Sequence, residues 1–336
     1  MRNEIVTEDL DEIISENLSW EKLFNSTVVV TGASGILPSY MVETLLYLNE
    51  VRNANIIVVG VVRNMAKALN RFAYYDGRRD LILIKQDVCL PFKYDGEVDY
   101  VIHAAGQASP KFYGKDPVGT LEGHALGTAN FLKFAAEKQV KDFLYFSSCA
   151  VYGNINSMKL RDCYPIGKLA GENLCVAYNH QYGVPFKILR IAHTYGPMMP
   201  LDDGRVFADF VSNVLRGEDI SLNSDGSAER HMLYISDAVR AYFRILLECK
   251  NKEAYNVASE EYTTILDLAK TLIGLCPEKG LKITFNKKIA KGYIPAEKNN
   301  PDSRIDIGKL KNLGWQQRYS IREGFKRTLC SINKER

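Results

Sequence analysis

Tyr164-Pro-Ile-Gly-Lys168 sets a phenol and an ammonium four residues apart, a spacing that on a helix puts both on one face. A lysine ammonium beside a tyrosine hydroxyl stabilises the phenolate and lowers its pKa. That makes Tyr164 a candidate general acid or base near neutral pH. Upstream, FSSCAVYG (Phe146 to Gly153) ends an apolar run, and Ser148 can donate to a substrate oxygen while Tyr164 delivers its proton. Y-x-x-x-K alone occurs by chance on many helices, so its weight depends on what surrounds it.

A second chemical pattern lies near the start, in TVVVTGASGILPSY (Thr27 to Tyr40). It reads as a strand, a glycine turn and a helix. Gly32 permits the tight turn, and Gly35 lets backbone N–H groups approach a pyrophosphate at the helix N-terminus. Pro38 stands where a third glycine is usual. In the first turn of a helix its missing N–H is an orphan donor anyway, so the phosphate contacts should survive and the packing behind them should change. The next strand ends in Val62-Arg63-Asn64, with Lys67 and Arg71 following. An NAD site places an acid there for the ribose 2′-hydroxyl, whereas a cation can hold the 2′-phosphate of NADP. Arg63 therefore points to NADP, with NAD the alternative if the arginine is merely solvated.

The elements that position these groups follow from the alternation along the chain. From Ser26 on, TVVVTG, IIVVGVVRN, LILIKQDV, VDYVIHAAG, FLYFSS and FKILRIA read as buried strands, separated by helical stretches at 40–49, 65–74, 120–137 and 168–182. Apolar strands alternating with helices imply a parallel sheet covered on both faces, the doubly wound α/β arrangement of a Rossmann-type fold. Residues 26–192, with a return segment at about 232–257, read as the NAD(P)-binding domain. Residues 193–231 and 258–336, including a helix at 206–216, read as a smaller substrate-binding domain. Residues 1–25 form a helical extension with Ile5, Leu10, Ile13, Ile14 and Leu18 as its apolar positions, either a packed cap or a docking helix.

Composition removes several function classes. A net charge of +3 is too small to imply a nucleic-acid partner. The seven cysteines include no C-x-x-C pair and read as free thiols in a reducing compartment; Cys149 and Cys163 read as small fillers beside the motifs. No His, Cys and Asp spacing resembles a metal-ligand set. No apolar run approaches the roughly 20 residues that cross a bilayer, and the acidic N-terminus is not a signal peptide. A cytoplasmic location with no membrane partner is expected.

TGASG, HAAG (His103 to Gly106), FSSCAVYG, YPIGK, RIAHTYGP, DGRV (Asp203 to Val206) and LGW (Leu313 to Trp315) occur in one order. Together they resemble the extended short-chain dehydrogenase/reductases, in the branch of nucleotide-sugar epimerases, dehydratases and decarboxylases. SPKF, CYPIGK and DGRV look most like UDP-glucuronate decarboxylases. The resemblance implies a nicotinamide dinucleotide cofactor, a nucleotide-diphosphate sugar substrate and a homodimer built on two helices per subunit. It makes Ser148, Tyr164 and Lys168 the catalytic set, with Lys168 also holding the nicotinamide ribose. It gives Gly32, Ser34, Gly35, Ile36 and Leu37 to the pyrophosphate turn, Asp87 and Val88 to adenine, and Ala104, Ala105 and Gly106 to the strand end beneath the cofactor. Arg230 becomes the grip on the substrate diphosphate, with Arg205 a second candidate.

The departures narrow the reaction. The dehydratases of this family carry Asp-Glu after the catalytic Ser or Thr, and the decarboxylases a glutamate at the second place; here stand Cys149 and Ala150. The decarboxylases also carry an arginine before a C-terminal proline, where this chain reads Asn299-Asn300-Pro301. What remains is transfer of one hydride and one proton. The expectation is reduction of the 4-keto group of a nucleotide-linked 4-keto-6-deoxyhexose, with 4-epimerisation on tightly held NAD as the alternative and a non-catalytic nucleotide-binding protein as the rival of another class. His124 and His193 stand where the family has asparagine; both are expected near substrate, or else as packing variants.

Overall fold

The computed structural model describes residues 2–286 and 305–334. Seven strands form one parallel sheet: β1 (Thr27–Thr31), β2 (Ile57–Val62), β3 (Leu81–Lys85), β4 (Tyr100–His103), β5 (Asp142–Ser148), β6 (Phe186–Ile191) and β10 (Glu253–Val257). Their order is β10-β6-β5-β4-β1-β2-β3. The order reverses direction between β1 and β4, where Thr31 pairs with His103. In open sheets of this kind ligands bind at such a switch point, beyond the strands' carboxyl ends. The strands are apolar on both faces, as a doubly covered sheet requires. Val28, Val30 and Ile102 feed one core, and Val29, Val101 and Phe143 feed the other.

The helices start earlier than the apolar periodicity alone suggests. Helix α2 (Ile36–Arg52) opens directly on the glycine turn, with Gly35 at its N-cap. Its first intrahelical bond runs from Ser39 N to the Gly35 carbonyl at 2.9 Å, so Pro38 occupies a position where no donor is needed. Helix α3 (Met65–Arg71) is capped by Asn64, a short α4 spans Pro110–Tyr113, and α5 (Pro117–Lys138) starts on Pro117 with the Asp116 carboxylate accepting from Gly119 N. Helix α6 (Cys163–Tyr182) carries Tyr164 in its first turn. Gly171 lets α6 press on β5, since a Cβ there would lie 2.1 Å from the Tyr145 hydroxyl.

After β6 the chain leaves the large sheet. Strands β7 (His193–Tyr195), β9 (Glu229–Tyr234) and β11 (Tyr262–Thr264) form a three-stranded sheet, and β8 (Ile220–Leu222) pairs with β12 (Ile283–Phe285). Helix α7 (Val206–Arg216) lies between, and α8 (Ile235–Glu248) leads back to β10 at the edge of the large sheet. Helices α9 (Ile265–Ile273), α10 (Gly308–Asn312) and α11 (Ile321–Lys334) complete the described chain. The segment 299–301 read in the sequence lies outside the described residues.

Helix α1 (Glu4–Ile14) is a packed cap and not a free docking helix. Leu10 and Ile13 are fully buried. Asp9 accepts from the hydroxyls of Tyr40 on α2 (3.1 Å) and Tyr234 at the end of β9 (2.9 Å), and pairs with Arg327 of α11 at 2.8 Å. Glu16, just after α1, binds Arg240 and Arg244 of α8 and Arg318. The N-terminal segment thus bolts the helix of the glycine turn to elements from the second half of the chain. Among the described residues no helix is long and apolar enough to cross a membrane, and no cluster of three or more His, Cys, Asp or Glu could hold a metal ion.

Candidate active site

A cleft of about 980 Å³ runs along the carboxyl ends of the strands and receives side chains from both halves of the chain. One end is a backbone cradle. Gly32 has φ +65°, and a Cβ there would sit 2.9 Å from the Ala105 Cα, so only glycine fits this crossing. The Thr31 hydroxyl oxygen accepts from Ala104 N (3.1 Å) and Ala105 N (3.0 Å). Its own proton is left for His103 Nδ1 at 3.0 Å. That clamp fixes the 104–106 turn against the glycine turn. Ser34, Gly35, Ile36 and Leu37 line the cleft beside it, as do Asp87, Val88, Ala104, Ala105 and Gly106. No side chain caps α2, so its first N–H groups remain available to an anion. The cradle thus has the shape and the donors that a dinucleotide's pyrophosphate needs.

Arg63 is exposed at the end of β2 and lines the same end with Asn64 and Lys67. Arg71, the third cation of that run, is used differently: its guanidinium donates to the Met198 carbonyl at 2.8 Å. It anchors the loop after β7 and does not face the cleft.

The middle of the cleft is the reacting corner. Three consecutive residues of β5 hold three residues of α6. Phe146 accepts from Lys168 Nζ at 2.5 Å, Ser147 donates to Glu172 at 2.5 Å, and Ser148 bonds the Tyr164 hydroxyl. The Tyr113 ring stacks on Tyr164 with centroids 5.1 Å apart. The Lys168 ammonium lies 6.0 Å from the Tyr164 ring centroid and donates to the Phe146 carbonyl of β5. Burial keeps the Tyr164 phenol above its ordinary pKa, and Ser148 and Arg205, not Lys168, are what pull it back. Burial also pushes the Lys168 ammonium down to about 7, with Glu172 opposing.

The far end gathers two arginines and two histidines. Arg205, His193, Arg230 and His231 line the cleft. Arg205 is held by Asp203 at 2.8 Å. Burial, then Arg230 and Arg205, push His193 down to about 3, so it is a neutral donor or acceptor across the physiological range. His124 does not line the cleft. It is buried edge-on to Tyr164, and a Cβ on Gly106 would lie 2.0 Å from its ring. The bulkier ring has room there because Gly106 and Gly167 give way; it supports the turn and the phenol from behind.

The model of the NAD dependent epimerase/dehydratase family matches residues 28–258. The chain belongs to that family. UDP-glucuronic acid decarboxylase 6 of Arabidopsis thaliana is 32% identical over 321 residues, covering 89% of this chain and 87% of that protein. UDP-glucuronic acid decarboxylase 1 of Danio rerio is 29% identical, covering 92% and 73%. Two solved structures share the fold of this family member. UDP-glucose 4-epimerase of Thermotoga maritima with UDP-glucose superposes with TM-score 0.76 at 24% identity, covering 92% of this chain and 99% of that one. UDP-glucuronic acid 4-epimerase of Bacillus cereus with UDP-glucuronic acid and NAD gives 0.76 at 23%, covering 92% and 100%. This family member is an enzyme of the nucleotide-sugar epimerase/dehydratase type, and NAD is the cofactor its family is named for.

Several lining residues of this family member escaped the sequence reading. Arg161 and His231 face the cleft. Ser109 donates to the Asp203 carbonyl, and Lys111 reaches the Asp202 carbonyl at 2.8 Å, so α4 is latched to the DGRV loop across the cleft. SPKF and DGRV were visible as motifs; their contact was not.

Proposed function

We propose that this enzyme reduces the 4-keto group of a nucleotide-linked 4-keto-6-deoxyhexose. One observation carries the reading. The corner is lined by Ser147, Ser148, Cys149, Ala150, Arg161, Tyr164 and Lys168, a hydroxyl and a phenol with no carboxylate. Acids around it are engaged elsewhere: Glu172 with Ser147 and Arg190, Asp203 with Arg205, Asp116 with Gln107 (2.7 Å) and Gly119, and Asp162 with Asn156 N (2.8 Å). Loss of water or of carbon dioxide calls on the acid that Cys149 and Ala150 replace; transfer of a hydride and a proton does not.

A nicotinamide dinucleotide bound in the glycine cradle supplies the hydride. Ser148 donates to the sugar carbonyl oxygen and fixes its direction, and Tyr164 gives that oxygen its proton as negative charge develops there. Lys168 holds a ribose hydroxyl of the cofactor. Arg205, Arg230 and His193 hold the substrate diphosphate, the arginines by charge and His193 as a neutral partner. Arg63, standing at the end of β2 where an NAD site carries an acid, supports NADP over NAD. Asp87 and Val88 flank adenine. Residues 193–231, with the described residues of 258–336, supply the substrate wall. The exposed apolar side chains Val118, Leu121 and Leu126 of α5 and Leu169 and Val176 of α6 support a homodimer through these two helices, as the family resemblance implies.

The test mixes pure protein with NADPH or NADH and 4-keto-6-deoxyhexoses linked to UDP, dTDP, GDP or CDP, and follows nicotinamide absorbance. Oxidation of the cofactor by one of them is expected, with Tyr164→Phe losing turnover by about 10²-fold or more while still binding cofactor. If no sugar oxidises the cofactor and a UDP-hexose instead equilibrates with its 4-epimer without added reductant, the enzyme is an epimerase. If Tyr164→Phe has no activity to lose, the chain only binds nucleotides.

A further inference from the structure

Glu172 lies one turn beyond Lys168 on α6 and is buried at 7% exposure. It is clamped from two strands. Ser147 on β5 donates to it at 2.5 Å, and Arg190 on β6 donates through Nε at 3.0 Å and Nη2 at 2.6 Å. Ser147 and Arg190 are direct neighbours in the sheet, and Asn256 of β10 continues the same row. Arg190 also donates to the Tyr152 hydroxyl at 2.8 Å, which donates to Asn256 at 2.7 Å. A polar row thus runs beneath α6 from buried β5 through β6 to the edge strand β10, where its outer members Tyr152 and Asn256 reach solvent. It is costly unless every member is partnered, and here the members named are.

We propose that Glu172 is a positioning residue for the reaction. Fixed by Ser147 and Arg190, it supplies a carboxylate charge one helical turn from Lys168 and holds α6 in register with the strand end that bears Ser148. The proposal rests on the reading of Lys168 and Tyr164 as site residues. The other groups around Lys168 do not supply that charge. His103 on β4 and His124 on α5 are neutral because burial pushes their pKa values down, and the Lys168 ammonium pushes them further the same way. Tyr145 on β5 offers its ring at 5.3 Å, Tyr164 is a neutral phenol, and Arg205, which acts on Tyr164 from the start of α7, is a cation. Glu172 is the partner that raises the Lys168 pKa against its burial.

The sign follows from the amine. Lys168 carries charge below its pKa, so removing the carboxylate charge must shift deprotonation to lower pH. Glu172→Gln keeps the shape and should move the Lys168 titration down by about one pH unit. The readout is competitive acylation of the folded protein with isotopically labelled acetic anhydride from pH 5.5 to 10, with the Lys168 peptide quantified by mass spectrometry. It needs no sugar, so failure of the reductase reading leaves it interpretable. In the turnover assay the alkaline limb should move by the same amount. Arg190→Met loosens the clamp but keeps the charge, so it should lower stability without moving the titration down. Glu172→Asp should restore the wild-type curve. A Glu172→Gln curve superposable on wild type, with only stability reduced, overturns the proposal. If Glu172→Gln does not fold, Arg190→Met and Glu172→Asp decide: a downward shift in either while the charge is present overturns it equally.

Discussion

Replacing Gly32 by alanine tests the cradle directly, and the structure separates the two costs involved. The first is conformational: at φ +65° an L side chain is strained by about 1–2 kcal/mol. The second is contact. The new Cβ would lie 2.9 Å from Ala105 Cα, 3.2 Å from Ala105 N and 3.3 Å from the Ala104 carbonyl, all backbone atoms. They cannot swing aside, because the amides of Ala104 and Ala105 are both anchored on the Thr31 hydroxyl. Overpacking of this kind costs about 1–3 kcal/mol. Gly77 supplies the control, with φ +76° and nothing within 4 Å of a Cβ. Gly77→Ala should therefore lose about 1–2 kcal/mol and bind NAD(H) as wild type. Gly32→Ala should lose about 2–5 kcal/mol in urea unfolding and at least 10-fold in NAD(H) affinity by calorimetry, because the 104–106 turn must move. Equal losses in the two variants, or unchanged affinity in Gly32→Ala, would refute the argument that this crossing shapes the cofactor site.

Arg63→Asp should reverse cofactor choice: NADPH loses its cationic partner and meets a like charge, a change of roughly 10–100-fold in the ratio of Michaelis constants. If that ratio does not move, Arg63 is only a solvated side chain. Asp9→Asn probes the N-terminal bolt through pH. Burial raises the Asp9 carboxyl to about 6 in the folded chain, even with Arg327 and two tyrosines opposing. The folded state therefore holds a proton that the unfolded chain releases near pH 4, and this group's contribution to stability falls as pH rises from about 4 to 6. Asn does not titrate, so the variant-minus-wild-type stability should move in the variant's favour by roughly 1–3 kcal/mol between pH 4 and 7. A pH-independent difference would show that Arg327 keeps the carboxylate charged throughout.

Local signals carried the strands, the glycine turn and the helix that bears Tyr164, because each depends on residues a few positions apart. The apolar runs are continuous, as buried parallel strands must be, and Pro38, Pro117 and Pro165 all sit within first helical turns, where proline costs nothing. What escaped are partnerships set by packing. Asp9 meets Arg327 across 318 residues of chain, and no periodicity in either helix announces it. Arg71 looked like a cofactor contact by spacing, yet reaches a loop 127 residues away. His124 occupies the place of a family asparagine, and only the glycines at 106 and 167 explain how a ring fits behind the turn. The spacing of Tyr164 and Lys168 likewise does not announce that the ammonium donates to the Phe146 carbonyl, a partner within reach because Gly171 lets α6 press on β5.

The protonation of this corner bears on the proposed direction of catalysis. A phenolate takes a proton from a sugar hydroxyl as an oxidation begins. Burial, the largest influence on Tyr164, favours the phenol, the form that gives a proton to a carbonyl oxygen as it is reduced. Ser148 and Arg205 temper the phenol enough to let the proton leave once charge builds on the substrate, since both interact more favourably with the phenolate than with the phenol. On the proposed reading, a neutral phenol suits a reaction that starts from ketone and reduced cofactor. An epimerase must perform both halves at this one hydroxyl, whereas a reductase needs only the half for which the resting protonation state is already set.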